Sequence, residues 1–234
     1  MRKVVHAARA KYNELAERRY RSANRSDAYD TILVSYGGSG TTFILKYLSD
    51  FMRVNSWDSH NDGIKHANSP QHPVFEPLSI SRCVYIYSDP AKAALSLFRR
   101  DFQSHMSAKL TAEDYRNANE YNRAIREASR NFTLEDMLAA GEDRFGLNRH
   151  WSNWTTQPAN FPTLFVSFDH LYENIDRFFD FLDLSDEQRR AFPPQRERLS
   201  SVSRMDPSIQ EGLDRIYGDM ARDMAQRPTM FERG

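Results

Sequence analysis

Thr31-Ile32-Leu33-Val34-Ser35-Tyr36-Gly37-Gly38-Ser39-Gly40-Thr41-Thr42-Phe43-Ile44-Leu45 is the stretch on which the fold turns. Thr31 to Ser35 is a short, continuous, β-branched apolar run, the pattern of a strand buried on both faces. Glycines follow at 37, 38 and 40, and then Ile44, Leu45, Leu48, Phe51 and Met52 recur at helical spacing. A strand, a glycine turn and a helix in succession predict a backbone that approaches a phosphate with no Cβ in the way. The amides of such a turn and the helix N-terminus supply donors and partial positive charge. Thr41 and Thr42 add hydroxyl donors. A purely structural glycine turn is the other reading of the same residues.

Outward from this unit, a second short strand is expected at Gly63 to Ala67 and a third at Arg82 to Tyr87. Ser88-Asp89-Pro90 then opens a helix, with Asp89 as N-cap and Pro90 at the first helical position. Ala94, Leu95, Phe98 and Phe102 give that helix one apolar stripe. Residues 111 to 157 read as polar and helix-rich, with a break at Gly141. Strand character returns from Thr163 to Phe168, and Asp169 opens a helix carrying Leu171, Ile175, Phe178, Phe179 and Leu182 on one face. Pro193-Pro194 ends this region, and a last helix with Ile209, Leu213, Ile216, Tyr217 and Met220 is expected to close the chain.

Strands alternating with helices imply an α/β fold in three layers: a mostly parallel central sheet of about four or five strands, flanked by helices on both faces. No repeat or long linker divides the chain, so residues 29–234 read as one domain, with 104–157 as a helical insert and 1–28 as a basic helix packed on it. In such sheets ligands bind beyond the carboxyl ends of the strands. The loops after residues 35, 67, 87 and 168 are therefore expected on one edge.

Lys plus Arg equals Asp plus Glu at 32 each, so no whole-protein field points to nucleic acid or a membrane surface. The first 26 residues are the exception, with eight Lys or Arg against two Glu. They read as a basic surface helix near an anionic ligand or as a solvated face. Cys83 stands alone in an apolar run, which excludes an internal disulfide and reads as a buried thiol. The basic start has no apolar core after it, unlike a secretory signal, and no stretch approaches the ~20 apolar residues that span a bilayer. The expected location is cytoplasmic.

An ATP- or GTP-binding loop reads G-x-x-x-x-G-K-[ST], with the lysine on the outer phosphates. Thr41 follows Gly40 where that lysine would stand, so a ligand with a single 5′-phosphate and no magnesium fits better than a triphosphate. At this point the sequence resembles the sulfotransferases that use PAPS (3′-phosphoadenosine-5′-phosphosulfate), a P-loop-type family. Their loop commonly reads Y-P-K-S-G-T-T-W, and Tyr36-Gly37-Gly38-Ser39-Gly40-Thr41-Thr42-Phe43 matches five of those eight positions. Their second signature is a strand, R-N-P, and a serine six residues past the proline; here Tyr87-Ser88-Asp89-Pro90 is followed by Ser96. The run from His150-Trp151 to Phe165-Val166-Ser167-Phe168-Asp169 is similar to a third, W…F-x-x-Y-E-D-L. The similarity covers about residues 30 to 220, in family order.

The resemblance implies that Gly37, Gly38, Ser39, Gly40, Thr41 and Thr42 bind the 5′-phosphosulfate and that Ser96 binds the 3′-phosphate. Phe43, in the tryptophan slot, is implied to stack on adenine, and Phe168 takes the slot of another base-contacting aromatic; core packing is the alternative for both. Two departures remove cations: Gly38 replaces the loop lysine and Ser88 replaces the arginine on the 3′-phosphate. Arg99 and Arg100 lie three and four residues beyond Ser96 on one predicted helix face. Lys65 and Arg204 are further candidate cations, with a solvated surface role as the alternative for each. The family's second strand ends in K-x-H, whereas this chain has Lys65-His66, adjacent residues that point to opposite faces of a strand unless it bends. His66 is the expected base and Lys65 the sulfonate cation, with His60 as the other candidate base.

What this implies is transfer of a sulfonate group from PAPS, releasing adenosine 3′,5′-bisphosphate, to a small-molecule or saccharide hydroxyl or amine, with no metal. The insert would shape the acceptor pocket, and Trp151 and Trp154 would line it or pack in the core. A non-catalytic nucleotide-binding module and a P-loop small-molecule kinase are the alternatives.

Overall fold

The computed structural model describes residues 27–58, 60–128, 131–195 and 206–233. The basic N-terminal helix expected over 1–28 and the candidate Arg204 thus fall outside the described residues, apart from Asp27 and Ala28.

Four short strands build the central sheet: β2 (Ile32–Val34), β4 (Cys83–Tyr87), β5 (Thr163–Ser167) and β6 (Met230–Arg233), in that spatial order. β2, β4 and β5 run parallel, with Ile32 opposite Cys83 and Tyr85 opposite Phe165. A separate two-stranded parallel ribbon joins β1 (Ala28–Tyr29) to β3 (Ser79–Ile80). Every residue of β2, β4 and β5 is buried, as a parallel sheet covered on both faces requires.

The two-residue period of the strands sorts their side chains into two cores. Leu33, Val84, Ile86, Leu164 and Val166 pack with Ile44, Leu45 and Leu48 of α1 (Thr41–Leu48) and with Phe178 and Phe179 of a later helix, Ile175–Phe181. Ile32, Val34, Cys83, Tyr85 and Phe165 face the other way, onto α2 (Pro90–Arg99) and the helices that follow it. Helix, sheet and helix layers result, so the chain is α/β with a mostly parallel sheet. Cys83 is buried, and burial pushes its thiol well up.

The region 104–157 folds as α3 (Gln103–Thr111), α4 (Ala118–Ala128), α5 (Leu134–Ala140) and α6 (Leu147–Thr156). Met106, Tyr121, Met137 and Trp151 share one core with the sheet, so the insert is part of the domain's packing. A Thr133–Asp136 capping box starts α5, and Gly141 ends it with φ 65°. Trp151 and Trp154 are core residues: their indole N–H groups donate to Asp223 (2.7 Å) and to the Ala67 carbonyl (2.8 Å).

Three expectations change. Gly63 to Ala67 is not a strand; Ile64–His66 forms a 3₁₀ turn beside β2, joined to it by Ser35 N–H donating to the Lys65 carbonyl at 2.9 Å. The edge of β2 is completed by a side chain, because the buried Asn55 carboxamide accepts from Leu33 N–H (2.7 Å) and donates to Leu33 C=O (3.0 Å). The helix expected from Asp169 begins as two 3₁₀ turns and becomes α-helical only at Ile175. The last helix, Pro207–Ala225, does not end the fold: β6 follows it and pairs antiparallel to β5, with Phe231 stacked on Phe165 at 4.7 Å. Among the described residues, no helix is long and apolar enough to cross a membrane.

Candidate functional site

The glycine turn leaves β2 and enters α1 through three left-handed residues, Gly37 (φ 87°), Gly38 (φ 71°) and Gly40 (φ 78°). Close packing as well as dihedral angle demands glycine here. A Cβ on Gly40 would lie 2.3 Å from the Phe168 ring, and one on Gly38 would lie 3.1 Å from the Ala93 backbone. One on Gly37 would meet the Met106 methyl at 2.6 Å. The turn is tied down from within: Thr41 Oγ1 donates to Ser35 Oγ (2.7 Å), Ser39 Oγ donates to the Ile86 carbonyl (3.3 Å), and Gly37 N–H donates to Ser35 Oγ (3.3 Å). The Tyr36 hydroxyl bonds both the main-chain N–H and the carbonyl of Ser88, locking the β2 and β4 ends together. The segments that follow β2, β4 and β5 meet on one edge, where Tyr36 reaches Ser88 and Gly40 lies against Phe168. Among the described residues, the main-chain amides of Gly38, Ser39, Gly40, Thr41 and Thr42 take no intramolecular acceptor.

A cavity of about 470 Å³ opens over the turn. Its lining includes Gly37, Gly38, Ser39, Gly40, Thr41, Thr42 and Phe43, together with Lys65 and His66. The 3₁₀ turn resolves the objection that adjacent strand residues face apart, because it brings Lys65 and His66 to one carboxylate, Asp62. Lys65 Nζ lies 3.2 Å and His66 Nε2 3.5 Å from Asp62 Oδ2. Two further groups reach the same carboxylate. Lys109 Nζ, from α3, donates to both oxygens at 2.8 and 2.7 Å, and the Tyr121 hydroxyl donates to Oδ1 at 2.7 Å. Asp62, Lys65, His66 and Lys109 are all nearly inaccessible, at 5% exposure or less.

Burial alone would raise the Asp62 carboxyl, but His66 and the Lys65 and Lys109 ammonium groups outweigh it and hold the acid well below its usual range. Burial pushes His66 down to about 4 against the opposing pull of Asp62, so the imidazole is neutral at neutral pH. Burial lowers Lys109 as well, again opposed by Asp62. Because the Ser35 carbonyl can only accept, His66 Nδ1, 2.9 Å away, carries the proton. Nε2 is the basic nitrogen. The group therefore holds two ammonium charges against one carboxylate, beside a row of amides without acceptors.

The other candidates divide between the cavity wall and positions away from it. Ser88 is buried, its main chain held by Tyr36 and its hydroxyl without a partner. Ser96 and Arg99 lie outside the lining; the neighbour Arg100 lines it instead, its Nε donating to the Ser96 carbonyl at 3.0 Å. Phe43 lines the cavity while packing edge-on against Phe192 at 5.8 Å, whereas Phe168 packs on Gly40 and does not line it. The Thr41 hydroxyl, expected to face a ligand, is spent on Ser35; the exposed Thr42 is not so engaged. His60 is exposed in its loop and outside the lining. Trp151 and Trp154 do not line it either.

Sequence reasoning missed Asp62, Lys109, His105 and Trp57, all part of the lining. For Lys109 a signal existed: it sits three residues after Met106 and directly before Leu110, inside an apolar helix face. No cluster of three or more His, Cys, Asp or Glu side chains among the described residues is arranged to hold a metal ion. No protein-family model matches the chain, and no significant match is found among curated proteins or solved structures.

Proposed function

We propose that the protein is a sulfotransferase that takes a sulfonate group from PAPS. The observation that carries this reading is the meeting, in one cavity, of the acceptor-free amides of the glycine turn with Lys65 and His66. Thr41 in the slot of a triphosphate-binding lysine favours a 5′-phosphosulfate over ATP.

In this scheme the acceptor oxygen forms a bond to sulfur while the bond from sulfur to the bridging phosphate oxygen breaks. The electron pair leaves with that oxygen, giving adenosine 3′,5′-bisphosphate. The acceptor proton passes to His66 Nε2, and the imidazolium so formed faces the Asp62 carboxylate. Lys65 and the turn amides offset charge growing on the equatorial and leaving oxygens, so positioning and electrostatics carry most of the rate.

A second reading, a nucleotide-binding module without catalysis, is favoured by one observation: both ring nitrogens of His66 already face protein groups, and the ring is 3% exposed. Two experiments separate these readings. Adenosine 3′,5′-bisphosphate should raise the melting temperature more than AMP or ATP. Labelled sulfonate should then move to at least one hydroxyl or amine acceptor, and His66→Ala should lower that rate by about a hundredfold or more with donor affinity nearly unchanged. Stabilisation by the bisphosphate without transfer to any of a broad panel favours the module. Full activity in His66→Ala removes that residue from the scheme, and magnesium-dependent turnover of ATP replaces the scheme with a kinase.

A further inference from the structure

We propose that Lys109, paired with Lys65 and pinned by Asp62, is the oxyanion-binding cation that the glycine turn itself lacks. This deepens the reading above and rests on it for the identity of the ligand, though not for the presence of an anion site. Position 38, where the resemblance places a lysine, is a strained and tight place for one. Its φ is 71°, and a Cβ there would press on the Ala93 backbone, which cannot swing aside. A cation for the turn must arrive from another element.

Helix α3 supplies it. The Met106 methyl rests against Gly37, so α3 lies directly on the turn, and Lys109 is three residues further along the same face. An ammonium group has three N–H donors. Lys109 gives two of them to Asp62, at 2.8 and 2.7 Å, and Lys65 makes a single 3.2 Å contact with the same acid. Donors from both lysines therefore remain for the cavity, and Asp62 holds both nitrogens at fixed positions. Inside the cluster two ammoniums share one hydrogen-bonded carboxylate, Asp62, beside an imidazole neutral at neutral pH, while Asp58 also acts electrostatically on Lys109. A buried surplus charge is costly unless a counter-charge enters, and the cavity beside the acceptor-free amides is where it would enter.

The test is direct binding of inorganic pyrophosphate to the full chain by calorimetry, with adenosine 3′,5′-bisphosphate titrated separately. Lys109→Met should weaken pyrophosphate by about tenfold to a hundredfold, the worth of one charge-assisted hydrogen bond. Lys109→Arg should stay within a few-fold of the parent. If Lys109→Met fails to fold because Asp62 loses its main partner, the double variant Asp62→Asn with Lys109→Met removes both charges, should fold, and should bind pyrophosphate about tenfold to a hundredfold more weakly than Asp62→Asn alone. Unchanged pyrophosphate affinity in the folded single or double variant overturns the assignment, as does failure of the parent to bind pyrophosphate at all. Tight pyrophosphate binding that depends on Lys109, with no preference for the bisphosphate over AMP, upholds the clamp and defeats the PAPS reading. A Lys109-independent affinity for the bisphosphate does the reverse.

Discussion

Replacing Gly40 by alanine probes the turn where its geometry is most constrained. An L-residue held at φ 78° costs about 1–2 kcal/mol on backbone grounds. The new methyl would also lie 2.3 Å from two carbons of the Phe168 ring and 2.8 Å from a third. That ring must leave its rotamer, at about 1 kcal/mol. Restricting the unfolded chain returns about 0.4–1 kcal/mol in the opposite direction. The net expectation is a destabilisation of about 1–2.6 kcal/mol, or a fall in Tm of roughly 2–10 °C for a chain of this size. Gly37→Ala is the internal control. Its φ of 87° carries the same backbone cost, but the methyl meets only the end of the flexible Met106 side chain, so its net loss should be about 1 kcal/mol. Urea titration at matched pH measures both, and adding Phe168→Leu to Gly40→Ala should recover part of the difference. If Gly40→Ala costs no more than Gly37→Ala, or if the second substitution recovers nothing, ring contact does not fix the turn.

Two other outcomes follow from the same geometry. His66, His72 and His150 are depressed from 6.5 to about 4, about 4 and about 3, in each case first by burial. The unfolded chain binds protons that the folded one refuses, so stability is full above pH 6.5 and falls as pH drops toward 4, by up to about 1.4 kcal/mol per pH unit for each histidine. A urea midpoint that is flat between pH 6.5 and 4.5 would contradict this. Gly38→Lys, which restores the lysine of the resembled loop, should lower both stability and pyrophosphate affinity, because φ is 71° and the new Cβ would lie 3.1 Å from the Ala93 backbone; improved binding in that variant would show that the turn accommodates it.

The elements legible in the sequence are those whose neighbours are close along the chain. Thr31 to Ser35 reads as a buried strand because apolar residues on both faces leave no other home for it, and Asp89-Pro90 starts a helix as expected, with the Asp89 carboxylate accepting from Lys92 N–H at 2.8 Å. The turn was legible through its glycines. What escaped depends on distant partners. Gly63 to Ala67 looked like a strand, yet Gly63 lies against Tyr115 and Tyr121, and the Asp62 carboxylate draws Lys65 and His66 together, which an extended chain does not allow. β6 has a single good strand former, Phe231, and its pairing rests on the stack against Phe165. Lys109 carries a signal in its apolar neighbours Met106 and Leu110, but its partner Asp62 lies 47 positions away and no local pattern names it.

Asn55 sits at the open edge of the central sheet, beside β2. With one carboxamide it occupies both the N–H and the carbonyl of Leu33, the two groups that an incoming foreign strand would need. The Arg53 and Lys65 carbonyls close the rest of that edge by accepting from Thr31 N–H and Ser35 N–H. Leucine at position 55 would keep the volume and strand a peptide N–H and C=O in the interior, so one carboxamide decides whether this border is sealed.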